Sequence, residues 1–563
     1  MRHRVSALCT FALVLAGLAP VGLRAQAVLG IGDDALVLPV GALRLRVLPT
    51  WTRFDSRYGK NTPNRAPGSL EPLAVDFNRD TIGIVEFERL LPLRDGLRLL
   101  AGLPDFDVSL GRTIVRLDAS VLAYPIVAEL GLTKRFSVGV IVPIVRTRTE
   151  ARLNVNPLGR EGNLGFNPAL ADTNIRNANN ALYTQYATAV TALQALITSC
   201  ANTTSTDPRC PTVRARSGTL TALAAGAAQF SGGLQSLYGA SPFIPLTGTD
   251  VDAAIRARVA GFSSQFATLA TLNIPAFPSG SPVAAQSLIG VNDAQRILGD
   301  PAFGVGVDPL QTIERTGIGD IEVGAKFQFL NTLEGEGKNQ LDPPSGLNFR
   351  SAVTGLVRIG SGHADTPDNF IDIGTGNGQN DIEIRSQSDV IFGKRLWASV
   401  VGRYGIQLGD RQTMRITDAD QPLAFAYRRF LVDRDLGDFF ELELTPRFVI
   451  SDYFAVSGSY LYRNKQEDRY SGTFQTRNTL DQDITLNAAT LNAETEQTEH
   501  RVIAGITYST LAAFQKGRAR VPLEIFVQHA ESVNGSGGST PRIRQNQVQL
   551  RVYTRIFGGD AAK

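Results

Sequence analysis

Apolar and polar residues alternate strictly over long stretches of the chain. Near the C-terminus Val548, Leu550, Val552 and Ile556 fall on one side, and Gln547, Gln549, Arg551, Tyr553 and Arg555 on the other. Ile321, Val323, Ala325, Phe327 and Phe329 alternate with Asp320, Glu322, Lys326 and Gln328, and Phe440, Leu442, Leu444 and Phe448 with Glu441, Glu443 and Arg447. A period of two is the signature of a β-strand with one apolar face. Similar runs near residues 42–54, 110–131, 136–153, 347–360, 381–393, 395–408, 453–464, 501–511, 519–529 and 543–557 bring the expected number to about twelve, within a range of 12 to 14. Many exceed the usual soluble strand of five or six residues and reach the nine to eleven that a tilted strand needs to cross a bilayer.

Periodicity does not separate a membrane barrel from a soluble sandwich, because either can present one apolar face. The connections do. Short turns at Thr133-Lys134-Arg135, Gly393-Lys394-Arg395, Ser451-Asp452-Tyr453 and Gln515-Lys516-Gly517 alternate with long segments at 57–109, 154–315, 361–380, about 409–435, about 465–499 and 531–541. The connection at 331–345 is longer than this rhythm wants. Outer-membrane barrels carry tight turns at one end and long loops at the other. The reading is therefore an all-β, antiparallel outer-membrane barrel whose apolar phases face lipid.

The segment 154–315 differs in kind. Stretches such as NANNALYTQYATAVTALQALITSC and VDAAIRARVAGFSSQFATLATL repeat apolar residues at helical spacing. They predict a helical extracellular insertion, with remaining barrel strands over 316–563 and the first strands and an outer loop (57–109) within 28–153. Residues 82–103 are expected either to form short helices in that first loop or to dip into the barrel, and Ile82, Ile84, Val85, Phe87, Leu90, Leu91, Leu97, Leu99 and Leu100 either pack as a lid or shape an apolar outer pocket.

The N-terminus reads as a signal peptide: Met1-Arg2-His3-Arg4, an apolar stretch from Val5 to Leu23, then Ala25-Gln26-Ala27. Removing residues 1–27 takes away Arg2, Arg4 and Arg24 and no acid, leaving 53 basic against 53 acidic residues. A neutral balance supplies no drive toward nucleic acid. The composition, 43% hydrophobic and 19% charged with 3 Cys, excludes a disordered polymer and a disulfide scaffold. Beyond Cys9, the two cysteines Cys200 and Cys210 are expected to pair in an oxidising compartment.

The polar phases nominate lumen-facing residues: Arg116, Asp118, Glu322, Lys326, Arg358, Glu383, Arg385, Glu441, Glu443, Arg447, Arg551 and Arg555. Both signs interleave, so they either pair across a narrow lumen or form a selectivity ladder. Gly355 and Gly402 are the positions where a strand without side chain would kink. In the loop DTPDNFIDIGTGNGQND, Asp365, Asp368 and Asp372 supply the oxygen ligands that suit Ca²⁺, though also those of any solvated turn. His529 and Ser532 raise a lipid-hydrolase alternative, but the intervening spacing leaves an interfacial histidine as the better reading. No cofactor is expected.

Two stretches resemble a known group. VAELGLTKRFSVGVIVPIVRTR, and GIGDIEVGAKFQFL with AVTGLVRIGSG and DNFIDIGTGNGQNDIEIR, are similar to the outer-membrane family associated with the meta-cleavage pathway of phenol degradation, itself similar to FadL-type transporters. The likeness covers residues 110–155 and 316–410. It implies uptake of hydrophobic small molecules and an N-terminal plug for which Val28 to Gly41 is the candidate; the barrel itself is expected to be a monomer in outer-membrane lipid. A narrow general porin, and a structural or surface-recognition barrel displaying the insertion, are the alternatives.

Overall fold

In a computed structural model of the chain, residues 33–59, 68–159, 161–334, 343–418, 423–538 and 540–557 are described. The expected signal peptide lies outside them, as do residues 28–32 of the candidate plug.

Twelve antiparallel strands close into one barrel. Strand β1 runs in two pieces, Ala42–Val47 and Thr50–Phe54. It is followed by β2 (Thr113–Gly131), β3 (Phe136–Val155) and β4, again in two pieces, Ile313–Ile318 and Ile321–Asn331. The rest are β5 (Leu347–Ile359), β6 (Asp381–Phe392), β7 (Leu396–Gln407), β8 (Phe439–Val449), β9 (Phe454–Lys465), β10 (Gln497–Ser509), β11 (Leu523–Ser536) and β12 (Arg544–Arg555). β12 pairs with β1, Ala42 opposite Arg555, and the sheet has no free edge.

Burial shows which phase faces where. Along β5, Phe349, Val353, Val357 and Ile359 are exposed, whereas Asn348, Arg350, Thr354 and Arg358 are buried. That is the reverse of a soluble protein, and it follows from the solvent: an apolar belt costs nothing against hydrocarbon, while closure of the sheet pairs the backbone groups of neighbouring strands inside the bilayer. No helix among the described residues is long and apolar enough to cross a membrane.

The long connections build a helical cap. It comprises α1 (Leu90–Ala101) from the first loop and α2 (Thr173–Ala201), α3 (Ser217–Ala240), α4 (Asp250–Ala267) and α5 (Val291–Gly299) from the insertion. On α2, Tyr183, Tyr186, Val190, Leu193 and Cys200 are buried at helical spacing. They share one core with Leu93, Leu97 and Leu100 of α1 and with Val115 and Leu117 of β2. α1 and α3 cross closely because glycines meet side chains: a Cβ on Gly233 would sit 2.9 Å from Leu100, and one on Gly96 3.0 Å from Leu237. The apolar first loop therefore packs on the insertion, and of its apolar side chains named above only Val85 and Leu99 are left well exposed. Cys200 and Cys210 are joined by a disulfide across the turn after α2.

Candidate functional site: the barrel lumen

The charged residues of the inward phases are paired. Arg358 contacts Asp381 at 2.6 Å, Glu322 at 3.0 Å and Glu383 at 3.3 Å, and Arg385 contacts Glu383 at 2.5 Å. Arg403 bridges Glu441 (3.2 Å) and Glu443 (2.5 Å), Arg350 holds Asp389 at 2.7 Å, and Arg44 and Arg46 share Glu129. Buried ions need such partners, because an isolated charge out of water costs several kcal/mol. Arg551 lies 3.6 Å from Glu524, and Arg447 donates to Thr507 Oγ1 at 3.3 Å.

Three of the nominated residues sit elsewhere. Arg116 and Asp118 point outward, Asp118 to an exposed contact with Arg53 at 3.1 Å. At that height β2 stands above the bilayer, and its inward face, Val115 and Leu117, meets the apolar cap. The polar phase is therefore the one facing water outside. Arg555 keeps the inward phase but is exposed at the end of β12.

The N-terminal segment enters this lumen. Ala35 N–H donates to Asp389 Oδ2 (3.1 Å), and Lys326 Nζ donates to the carbonyl of Asp34 (2.8 Å). Gln328 Nε2 donates to the carbonyl of Ala35 (2.6 Å), and Lys326 also lies 3.5 Å from Asp33. Beside this segment a cavity of about 40 Å³ is lined by Leu36, Val127, Val138, Gly139, Ile141, Gly324 and Leu356, with Glu129, Lys326 and Arg385 at its polar side. Gly139 and Gly324 are register partners on β3 and β4, so no side chain fills the wall there.

From the other end the Gly-rich loop 361–380 folds inward. Ile373 packs on Phe54, Val121, Ala123 and Val145, and its carbonyl accepts from Thr147 Oγ1 at 2.8 Å. The three carboxylates of the calcium candidate are engaged by the protein itself. Asp372 is taken by Arg315 (2.7 Å), Asp368 by Arg415 (2.7 Å) and Arg429 (3.3 Å), and Asp365 accepts the Gly374 N–H (2.6 Å). No group of three metal-ligating side chains occurs among the described residues. The glycines serve close packing: a Cβ on Gly376 would lie 2.4 Å from the Asp320 carboxylate. Burial pushes the Asp365 carboxyl up to about 7, with Asp372 adding to the effect.

The lumen is thus two-sided. β5 to β9 supply most of its charge. On the inner faces of β1 to β3, above the Arg44, Arg46 and Glu129 cluster and beside Thr147 and Thr149, an apolar strip runs from Val127, Ile141 and Leu48 beside the cavity, through Ala123, Val145, Val121 and Ala119, to Leu117 and Val115 in the cap core. Alternation had directed attention to charged phases and missed this strip. The signal was in the unbroken apolar runs Val121–Val127 and Val138–Val145, where both faces of a strand are apolar.

The wall is irregular beside the strip, not at Gly355 or Gly402, which pair on both sides without a register shift. Between Ile144–Ile318 and Ile141–Glu322, two residues of β3 oppose three of β4, a bulge. Pro143 accepts from Gly319 N–H (2.8 Å) and Pro125 from Leu48 N–H (3.2 Å), and neither proline can return the bond. Ser361 Oγ (2.7 Å) and Thr50 Oγ1 (3.0 Å) serve the two abandoned carbonyls instead.

His529 and Ser532 are not brought together. His529 is exposed on the outer face beside Asn546 Oδ1 (2.9 Å), whereas Ser532 is buried and donates to Glu499 at 2.5 Å. A closed barrel with an apolar belt outside and its polar groups inside has one natural solvent. The chain is a transmembrane β-barrel of the outer-membrane type. No protein-family profile matches it, and no curated protein does. Among solved structures it is similar to an outer-membrane channel from Pseudomonas putida F1 (8% identity, TM-score 0.38, covering 92% of this chain and 98% of that one). It is also similar to the toluene transporters TodX of Pseudomonas putida (9%, 0.24, 92% and 90%) and TbuX of Ralstonia pickettii (8%, 0.25, 93% and 92%).

Proposed function

We propose that this outer-membrane barrel is a channel for small hydrophobic molecules, which move along the apolar strip of β1 to β3. The observation that carries this reading is the strip itself, a succession of three apolar clusters from the cap core to the cavity at Gly139 and Gly324. A hydrophobic solute on it need not desolvate the arginines and carboxylates opposite, a step that would cost more than its own burial returns. In the present conformation Ile373 lies on the middle of the strip and the segment Asp33–Leu38 beside the cavity, so passage along its whole length requires both to move. The β3–β4 bulge is the place where a solute would leave sideways into lipid, since ladder bonds are already missing there. The barrel closes within one chain, so the working unit is a monomer. The channel performs no chemistry on its cargo.

The test is uptake of a fluorescent hydrophobic probe by cells expressing the full chain or its Val121→Glu and Val127→Glu variants, with insertion checked by heat-modifiable migration. Uptake should fall at least fivefold in both variants. Equal uptake would refute the strip. Steady conductance steps in planar bilayers would instead support a narrow general porin, for which the paired lumen offers little room. A barrel that displays its cap for recognition would show neither uptake nor conductance.

A further inference from the structure

The outer face of the β2–β3 hairpin carries a second feature that transport does not use. β2 and β3 have 19 and 20 residues, about twice the nine to eleven that a crossing needs. Their outer halves therefore stand above the hydrocarbon. Outward side chains on β3 change from Val140, Val142 and Ile144 to Arg146, Arg148 and Arg152. Register places Trp51, Leu122 and Arg146 in one row, and Arg53, Ser120 and Arg148 in the next. Trp51 is 44% exposed, and Tyr124 sits one row below on the same face. Tryptophan and tyrosine mark the membrane–water interface. Arg146 is thus at headgroup level, with Arg53 and Arg148 about 7 Å higher and about 10 Å apart, by strand geometry.

The outward faces of β1 to β4 hold five arginines (53, 116, 146, 148 and 152) against three carboxylates, Asp118, Glu150 and Glu314. Arg146 meets Glu314 at 2.7 Å, while Arg148 and Arg152 share Glu150. Arg53 meets Asp118 at 3.1 Å, and Arg116 stands two rows above Arg148. Exposed pairs of this kind are weak, and a guanidinium with five donors can hold a further oxygen while keeping its carboxylate. The surplus is one-sided: at their outer ends β5 to β9 present Ile359, Ile382, Ile406, Phe440 and Tyr462 outward.

We propose that this face docks the phosphorylated headgroup of an outer-leaflet glycolipid, its phosphate oxygens held by Arg53, Arg146 and Arg148. Charge complementarity selects an anion, and guanidinium forks suit phosphate. The level selects a lipid, because the row of Trp51 and Arg146 is covered by the leaflet itself.

The test is native mass spectrometry of the full chain in detergent, titrated with phosphorylated lipid A, with its dephosphorylated form, and with inorganic phosphate. The wild type should bind the phosphorylated lipid at least tenfold more tightly than the dephosphorylated one. R53Q/R146Q/R148Q should lose that preference, and R395Q/R518Q, at the opposite turns, should keep it. D118N/E314Q, which removes competing carboxylates, should tighten binding severalfold and covers the case in which the triple variant misfolds. Equal binding of both lipid forms, a preference retained by the triple variant, an unchanged affinity in D118N/E314Q, or full competition by equimolar inorganic phosphate would each overturn the proposal.

Discussion

Arg358 is the sharpest probe of the lumen. Its guanidinium is 5% exposed and faces three carboxylates, of which Asp381, Glu322 and Glu383 are 0%, 6% and 2% exposed. Arg358→Met keeps the bulk and removes the cation. Glu383 retains Arg385 at 2.5 Å, and Glu322 retains it at 3.8 Å, but Asp381 has no other ion pair among the described residues. Breaking a buried pair by deleting one partner costs roughly 3–5 kcal/mol, because the orphaned charge cannot rehydrate. Most of that penalty belongs to Asp381, so R358M/D381N should recover more than half of it, as replacing a whole buried pair by neutral groups often does. The assay is urea unfolding of the full chain in detergent, followed by fluorescence of the two tryptophans and by gel migration. If R358M loses less than about 1 kcal/mol, the lumen is wet enough to screen the cluster, and the dry, paired interior inferred from burial is wrong. A double variant less stable than the single one would equally refute the reasoning.

Other outcomes follow from the same geometry. Asp365, raised from 3.8 to about 7, binds its proton more tightly in the folded loop than in the unfolded one; loop 361–380 should therefore be most stable in acid and loosen as pH rises from about 4 to about 7. Hydrogen exchange of its amides should be faster at pH 8 than at pH 5.5, after correction for the intrinsic rate, and Asp365→Asn, which keeps an acceptor for Gly374, should flatten the difference. Thr50→Val should leave the Leu48 carbonyl without its hydroxyl donor, a loss of roughly 1–3 kcal/mol in thermal or urea unfolding, whereas Thr50→Ser, which keeps that donor, should lose clearly less. Thiol labelling of the unfolded, unreduced chain should find neither Cys200 nor Cys210 free, and replacing both with alanine should cost the cap up to about 3 kcal/mol, seen as earlier proteolysis after α2.

Much of the barrel was legible in the sequence because its cause is local. Side chains alternate across a strand whatever surrounds it, so β5, β8 and β12 announced themselves, and the rhythm of short and long connections distinguished a membrane barrel from a sandwich. Helical spacing around Tyr183, Val190 and Leu193 foretold the cap for the same reason. What alternation does not contain is which solvent each face meets. Arg116 and Arg358 both occupy polar phases, yet one faces water outside and the other the lumen, because β2 outruns the bilayer and its inner face turns apolar beneath the cap. The apolar strip, the inward fold of loop 361–380 and the seating of Asp33–Leu38 join residues up to 354 positions apart. The β3–β4 bulge needs the register of two strands, which Pro143 alone does not specify. Period and turn chemistry are properties of neighbours along the chain; closure of the sheet sets the heights, partners and solvents of those neighbours, and only the tertiary structure decides them.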